Sequence, residues 1–309
     1  MSDLNSFIII DHQDDNPFSN LAAEEYLLHN FKENVVFLYV NNPSVVIGKH
    51  QNAFDECQID FCESNDIQII RRLSGGGTVF HGPGNLNFCF IKNGEDSTKL
   101  IDFKKHLTPV NEFLHGLGIP SEYSGRNDLL VDGFKISGNA EHVYNKAKRV
   151  IHHGTLLYDA DLSSLKQSIA PKAHLHFETH AVKSVRSTVR NIKTFLEAPL
   201  SFERFNQDMF SFMSSYYNAT PYRFTPEDLK EINALIEAKY SQWDWNFGYS
   251  PKFEVAVQLG DDIQIQCKVV KGMITKVESN SGLLTQLQDC VGLPFTKKTF
   301  KTIGLDVSL

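Results

Sequence analysis

Two short stretches of this chain hold residue types suited to gripping a small phosphorylated or carboxylated molecule. The first contains Arg71, Arg72, Ser74, Gly75, Gly76, Gly77 and Thr78. Adjacent glycines reach backbone angles that side chains forbid. They also let amides close on an anion, as a backbone nest does. Arg72 offers a planar, forked donor for a phosphate or carboxylate. Glycine content alone fits a flexible hairpin turn with two solvated arginines equally well. The stretch is not a P-loop, because no Gly-Lys-Ser/Thr follows at the required spacing, and it is not a GxGxxG turn.

The second stretch contains Lys135, Ser137 and Gly138, shortly after Arg126, Asn127 and Asp128. A lysine followed by small residues can lay its ammonium over an α-phosphate, where a transition state gathers charge. Asp128 offers the hard oxygen ligand that Mg2+ prefers. In isolation the plainer reading is a solvated hairpin lysine beside a turn-capping aspartate. A third group is His152, His153, Gly154 and Thr155, with His81 as a distant companion. Neighbours on a strand point to opposite faces, so His152 and His153 are poor joint metal ligands. Cys57, Cys62 and Cys89 read as small core residues rather than nucleophiles.

These residues must be positioned by regular elements. The patterning predicts a strand at Phe7 to Ile10, then a helix opened by Pro17 with Phe18, Leu21, Ala22 and Leu28 as its core stripe. Short apolar runs predict strands at Val35 to Val40, Val45 to Ile47, Ile67 to Ile70, Phe88 to Ile91 and Thr155 to Leu157. A short helix is expected from Asp55 to Glu63. Leu100, Phe103, Leu107, Val110, Leu114 and Leu117 trace one helix face, with Thr108 and Pro109 starting its second part. Asp132-Gly133 predicts a tight hairpin turn. Asp161 to Ser168 reads as a short helix, and 171–184, with His174, His176 and His180, as a loop near the site. Thr225, Pro226 and Asp228 predict a capped helix with Leu229, Ile232, Ile236 and Tyr240 inward. The segment WDWNFGYSP reads as a packed crossover. Beyond it FEVAVQL, DIQIQCKVV and MITKVES alternate as strands, and Leu283 to Cys290 closes as a helix.

Composition narrows the function further. The 309 residues carry a formal charge of -7 and a sequence pI near 5.9. That field does not suit a general nucleic-acid binder. Five cysteines, an odd number without metal-binding spacing, imply neither a disulfide framework nor a zinc site and fit a reducing compartment. No apolar run approaches membrane-spanning length, and the N-terminus lacks the pattern of a targeting peptide, so a cytoplasmic location is expected.

In combination the motifs are far more specific than any one of them. The chain resembles the lipoate–protein ligase family of the biotin and lipoate ligase fold group. The resemblance runs through VVIGKHQNAFDEC (45–57), RRLSGGGTVFHGPGNLNF (71–88), GRNDLLVDGFKISGNA (125–140), HHGTLLYDADLSSL (152–165), KSVRSTVRNI (183–192) and WNFGYSPKF (245–253). It implies an α+β fold, a mixed β-sheet with flanking helices. Residues 1–247 would form the large catalytic domain for adenylation and lipoyl transfer, and 248–309 a small C-terminal α+β accessory domain.

By the same resemblance, ATP activates lipoate to lipoyl-AMP with Mg2+, and a lysine of a lipoyl domain accepts the acyl group. The acceptors implied are lipoyl domains of 2-oxoacid dehydrogenase complexes or the glycine cleavage H protein, with the ligase acting as a monomer. Lys135 matches the lysine that binds the phosphate and carboxylate region. Arg72, Ser74, Gly75, Gly76, Gly77 and Thr78 match the loop around the acyl-adenylate, with His81 and Asn85 near it. Asn127 and Asp128 match the nucleotide side, Asp128 as the Mg2+ ligand, with Ser137 and Gly138 beside Lys135. Gly154 and Thr155 match the strand flanking the adenylate. Val45, Val46, Ile47, Phe80 and Phe90 are the implied walls for the aliphatic tail, and a loop at 171–183 the implied cover. One departure is Gly82 after His81, where the family often has Asp. Three alternatives stay open: a cysteine-dependent octanoyltransferase, a transferase using a preactivated donor, and a non-catalytic adenylate-binding regulator.

Overall fold

A computed structural model describes residues 6–94, 100–125, 127–259, 263–282, 284–307 and 309. Arg126 and Leu283, and the first residue of the DIQIQCKVV run, lie outside them. From its start the chain forms β1 (Phe7–His12), α1 (Pro17–Asn30), β2 (Asn34–Tyr39), β3 (Ser44–Ile47), α2 (Ala53–Glu56) and α3 (Ile59–Ser64). Next come β4 (Gln68–Arg71), β5 (Val79–His81), β6 (Asn85–Asn93), α4 (Phe103–Gly116), β7 (Glu122–Tyr123), β8 (Asp128–Val131) and β9 (Phe134–Tyr144). The middle holds β10 (Arg149–Leu157), α5 (Leu162–Ser168), β11 (Leu175–Thr179), α6 (Phe202–Tyr217), β12 (Thr220–Pro221) and α7 (Pro226–Leu235). Two π-helical turns follow, Ile236–Tyr240 and Asp244–Gly248. The chain closes with β13 (Phe253–Leu259), β14 (Ile263–Val270), β15 (Met273–Ser279), α8 (Leu284–Gln288) and α9 (Lys297–Thr302).

These strands build a mixed eight-stranded sheet in the order β12-β1-β2-β6-β10-β9-β8-β7. Its β1 runs parallel to both neighbours, and β2, β6, β10 and β9 pair antiparallel in sequence. Both faces are covered, so β2 is buried at every position, as an apolar run without polar alternation requires. Val36, Leu38, Phe88 and Phe90 face α4 and α6, while Val35, Phe37, Cys89 and Ile91 face α1. This is the expected α+β architecture.

A small sheet, β4-β3-β5, stands beside the large one. Val46 and Ile70 turn toward α1, whereas Val45, Ile47 and Phe80 pack with Phe253, Val255 and Val257 of a third, four-stranded sheet. That third sheet runs β11-β13-β14-β15. Its edge strand β11 lies within the segment expected to be a loop. Leu175 and Phe177 contribute to its apolar core, while His176 and Glu178 alternate with them, a strand pattern masked by the histidines.

Other expectations need correction. The helix expected at 55–63 is two short helices separated at Cys57. Helix α4 does not restart at Pro109. Asp102 caps it by accepting from Lys105 N, and Pro109 lies inside one continuous helix. Thr225 and Asp228 form the expected capping box on α7, but Leu229 is 40% exposed. Asp228 instead turns inward, accepting from the Tyr26 and Tyr222 hydroxyls at 2.7 Å each. The Asp132-Gly133 hairpin forms as expected, with both residues at positive φ (51° and 78°).

Arg71 ties the small sheet to the C-terminal turn. It is fully buried. Its Nη1 donates to the carbonyls of Gly48, Lys49 and Gln51, and Nε donates to that of Trp245. Nη2 donates to Asn246 O and Ser250 Oγ. Burial lowers its pKa to about 10, which still leaves it cationic at neutral pH. Replacing it leaves these carbonyls dry and unpaired. Arg71→Met is therefore expected to destabilise the fold by about 3 kcal/mol or more, read as a fall in the urea midpoint at constant m-value. Arg71→Lys, with no planar fork, should recover only part of that loss; full recovery would show that charge alone matters.

Candidate active site

Between the glycine segment and the large sheet lies a cleft of about 270 Å3. The β4–β5 connection forms one wall, and β9 and β10 form the floor. Of the residues singled out in the sequence, Arg72, Gly76, Gly77, Thr78, His81, Asn127, Asp128, Lys135, Gly138, Gly154 and Thr155 line it. Ser74, Gly75, Asn85 and Ser137 do not. Ser74 lies beneath the loop, fully buried. Gly75 contributes its carbonyl to Arg72. Asn85 is buried at the start of β6, donating to Asn87 Oδ1.

Arg72 is a clamp for the loop rather than a free fork. Its Nη2 donates to the carbonyls of Gly75 and Gly77 at 2.7 Å each. Nε donates to Ser74 Oγ and Nη1 to Val46 O. Four hydrogen bonds from five N–H groups thus fix the loop from below. Gly76, at the tip, has φ +87°, a region that L side chains rarely adopt. Burial lowers Arg72 to a pKa of about 10, so it remains a cation under the loop.

Lys135 reaches the cleft because of an irregularity. The β8–β9 register pairs Leu130 with Lys135 but Leu129 with Ser137, a bulge at Ile136. A bulge shifts the alternation of everything beyond it. Lys135 and Gly138 both line the cleft, while Ser137 is driven into the interior, where its Oγ accepts from Asn139 Nδ2. The Lys135 backbone is held by Thr188 O and Arg190 N. Its Nζ lies 2.9 Å from Asp128 Oδ1. A Cβ on Gly138 would stand 2.9 Å from Lys135 Cε and 3.0 Å from Nζ. The glycine therefore makes the space that the lysine stem occupies.

Tyr39, Val79 and Asn139 also line the cleft, although no sequence signal assigned them to it. Asn139 and Asn127 exchange side-chain amide to backbone carbonyl bonds, which locks the hairpin base. His153 lines the cleft, with Nδ1 2.7 Å from Glu24 Oε2 and Nε2 2.5 Å from Ser74 Oγ. Glu24 also accepts from Tyr39 OH. Glu24 is buried on α1, one turn after the buried Asn20, and its role is set by His153 and Tyr39, which are distant in sequence.

Of the expected apolar walls, only Val46 lines the cleft, joined by Leu21, Tyr39 and Val79. Val45, Ile47 and Phe80 face the C-terminal sheet, and Phe90 faces α4. The cover comes from 182–187, beyond β11. Ser184 fastens it: its Oγ donates to Glu56 and accepts from Thr78 N and Gln51 Nε2. KSVRS, which belonged to the resemblance, was the available clue.

His81 accepts from Asn41 Nδ2 at Nδ1, which places its proton on Nε2. Burial, then the nearby Arg72 and His153, push its pKa down to about 3. Gly82 is outside the cleft lining and opens the turn into β6, where Asn85 N donates to its carbonyl. All five cysteines are buried, and none lines the cleft. Burial pushes Cys62 up to about 11 and raises Cys57 and Cys89 further. A thiolate nucleophile has no place in this site.

A cleft floored by a mixed sheet, rimmed by a clamped glycine loop and holding Lys135 beside Asp128, defines an acid-activating ligase architecture. Residues 16–214 match the lipoyl protein ligase A/B catalytic domain, and the chain belongs to that family. The lipoate-protein ligase LplJ of Bacillus subtilis is 39% identical over 254 residues, which cover 80% of this chain and 76% of that protein. A bi-partite lipoate protein ligase of Thermoplasma acidophilum, described with its E2 lipoyl domain, superposes with a TM-score of 0.64 at 22% identity. That match covers 79% of this chain and 97% of the other. Lipoate-protein ligase A bound with ATP gives 0.65 at 22% identity, covering 79% and 99%. The two structures share the fold. Among the described residues, no helix is long and apolar enough to cross a membrane.

The burial of neutral His81 has a pH signature. Above pH 6.5 it is uncharged in both folded and unfolded chains and contributes no pH dependence. As the pH falls from 6.5 toward 3, the unfolded chain takes up a proton that the folded chain refuses, so stability falls. At pH 5 the loss from this group is about 2 kcal/mol. His81→Gln keeps an acceptor for Asn41 and removes the titration. The gap between urea midpoints at pH 7 and pH 5 should narrow; an unchanged gap would sink the assignment.

Proposed function

We propose that this chain is a lipoate–protein ligase that works through an acyl-adenylate. A carboxylate oxygen of lipoate attacks the α-phosphorus of ATP. The bond to the β-phosphate breaks and pyrophosphate leaves. The ε-amine of an acceptor lysine then attacks the acyl carbon of lipoyl-AMP. The acyl–phosphate bond breaks, AMP leaves, and the amine proton passes to solvent.

The observation that carries this reading is Lys135 Nζ, held in the same cleft as the Arg72-clamped glycine loop. A preorganised ammonium lowers the cost of charge gathering on the α-phosphate. Gly76, Gly77 and Thr78 supply backbone at the rim, and Asn127, Gly154 and Thr155 complete the nucleotide side. Leu21, Tyr39, Val46 and Val79 suit an aliphatic tail. The cover at 182–187 suits protection of the adenylate from water.

Mg2+ fits through Asp128, the sole carboxylate among the residues lining the cleft. Mg2+ is commonly held by one or two carboxylates together with substrate phosphates. One Asp128 oxygen meets Lys135, which leaves the other for the cation; the bound ion would offset phosphate charge. The acceptor is a lipoyl domain, of a 2-oxoacid dehydrogenase complex or the glycine cleavage H protein. The ligase acts as a monomer in the cytoplasm. Residues 1–247 carry both chemical steps, and 248–309 act as an accessory domain.

Lipoate-dependent exchange of pyrophosphate into ATP tests activation directly. Wild-type protein should exchange, and Lys135→Ala should lose about two to three orders of magnitude in rate with its unfolding midpoint unchanged. Absence of exchange in the wild type, together with acyl transfer from supplied lipoyl-AMP, would replace this reading with a transferase that uses a preactivated donor.

A further inference from the structure

The cleft uses one face of β10. The opposite face carries a second group of titratable side chains that lipoate ligation leaves without a role. His152 on β10, Glu141 on β9 and His106 on α4 converge there. The Nδ1 atoms of His106 and His152 each lie 2.8 Å from Glu141 Oε1. All three side chains are nearly dry, at 5%, 0% and 1% exposure for His106, His152 and Glu141. The rings of Phe88, Phe90 and Phe103 surround His152. One oxygen of the carboxylate serves both imidazoles, while Glu141 Oε2 is buried with no partner. An ionised carboxylate in apolar surroundings, with an unfilled oxygen, calls for a compensating positive charge.

We propose that His106, Glu141 and His152 bind one divalent transition-metal ion of the zinc type. Two imidazole nitrogens and a carboxylate form a donor set that zinc accepts, whereas Mg2+ and Ca2+ favour oxygen alone. One ligand atom from each residue lies within 4.8 Å of the others, so all three can face a common centre. The ion takes up the orphaned carboxylate oxygen and balances the charge. It also joins α4 to β9 and β10. The site is distinct from the cleft, because His152 and His153 point to opposite sides of their strand. It is also invisible to spacing rules: its ligands stand at positions 106, 141 and 152, on three separate elements.

The test is calorimetric titration of Zn2+ into the untagged, chelator-treated full chain, with Co2+ absorption as a reporter of the ligand set. One equivalent should bind and raise the melting temperature by mass action. Asp128→Asn, which alters only the cleft, should bind equally well. Glu141→Gln keeps the shape of the side chain and an oxygen for the two imidazoles. It should weaken binding at least about a hundred-fold, beyond the usual loss of an outer-shell partner. His106→Asn should do the same, and serves if Glu141→Gln fails to fold. Absence of stoichiometric Zn2+ binding to the wild type overturns the proposal and leaves a proton as the compensating charge. Binding that survives both substitutions also overturns it, and assigns the metal to exposed histidines such as His176 and His180.

Discussion

The Arg71 guanidinium is buried and held by oxygens that carry no formal charge. Among the described residues, no carboxylate stands within ion-pair distance of it. A cation in that position is tolerable only if nearly every N–H meets an acceptor at once. The acceptors come from two separate parts of the chain, the 48–51 turn and the π-helical turn around Asn246. Both must therefore close on the end of β4. Asn246 Oδ1 accepts from Arg71 N, and Trp245 Nε1 donates to Arg71 O, which completes the knot. The glycine loop begins at the next residue, so its origin is fixed by this arrangement.

Arg72 continues the same logic toward the cleft. Adjacent residues at the end of a strand project to opposite sides. Arg71 therefore anchors the fold behind the loop, and Arg72 anchors the loop itself. Ser74 joins that clamp to His153, and His153 joins it to Glu24 on α1. The result is a hydrogen-bonded chain from helix to strand to loop, in which each member holds its neighbour in one orientation. Such preorganisation keeps the cleft's charge in place before any substrate arrives. Strand β10 takes part in this order on one face and carries the His152 cluster on the other.

Much of the fold was legible locally. Strands with unbroken apolar runs, the Asp-Gly turn and the Thr225–Asp228 cap all obeyed short-range rules. The failures have physical causes. Strand β11 was hidden because it is short, has only Leu175 and Phe177 as its apolar positions, and lies between His174 and His180. Pro109 looked like a helix start, but tertiary packing carries α4 across it. Leu229 seemed inward by spacing, yet two tyrosine hydroxyls draw Asp228 into the interior instead. At the site, the motifs carried Arg72, the glycines, Lys135, Gly154, Thr155 and the segment of Ser184, whereas Tyr39, Asn139 and the Glu24 that holds His153 take their roles from tertiary partners.

By itself, the sequence determined the inventory: a glycine loop behind two arginines, a lysine before Ser-Gly, and an ordered motif series that placed the chain in its family. It did so because glycine, arginine and lysine have chemistries that survive without context. Tertiary structure decided how each was used. A single bulge at Ile136 put Lys135 and Gly138 in the cleft and sent Ser137 inward. Burial made His81 neutral and the cysteines inert. The two faces of β10 gave the adjacent histidines separate partners, His153 with Glu24 on α1 and His152 with Glu141 on β9. Orientation and dielectric surroundings are set by residues far away in the chain, so no local pattern could have contained them.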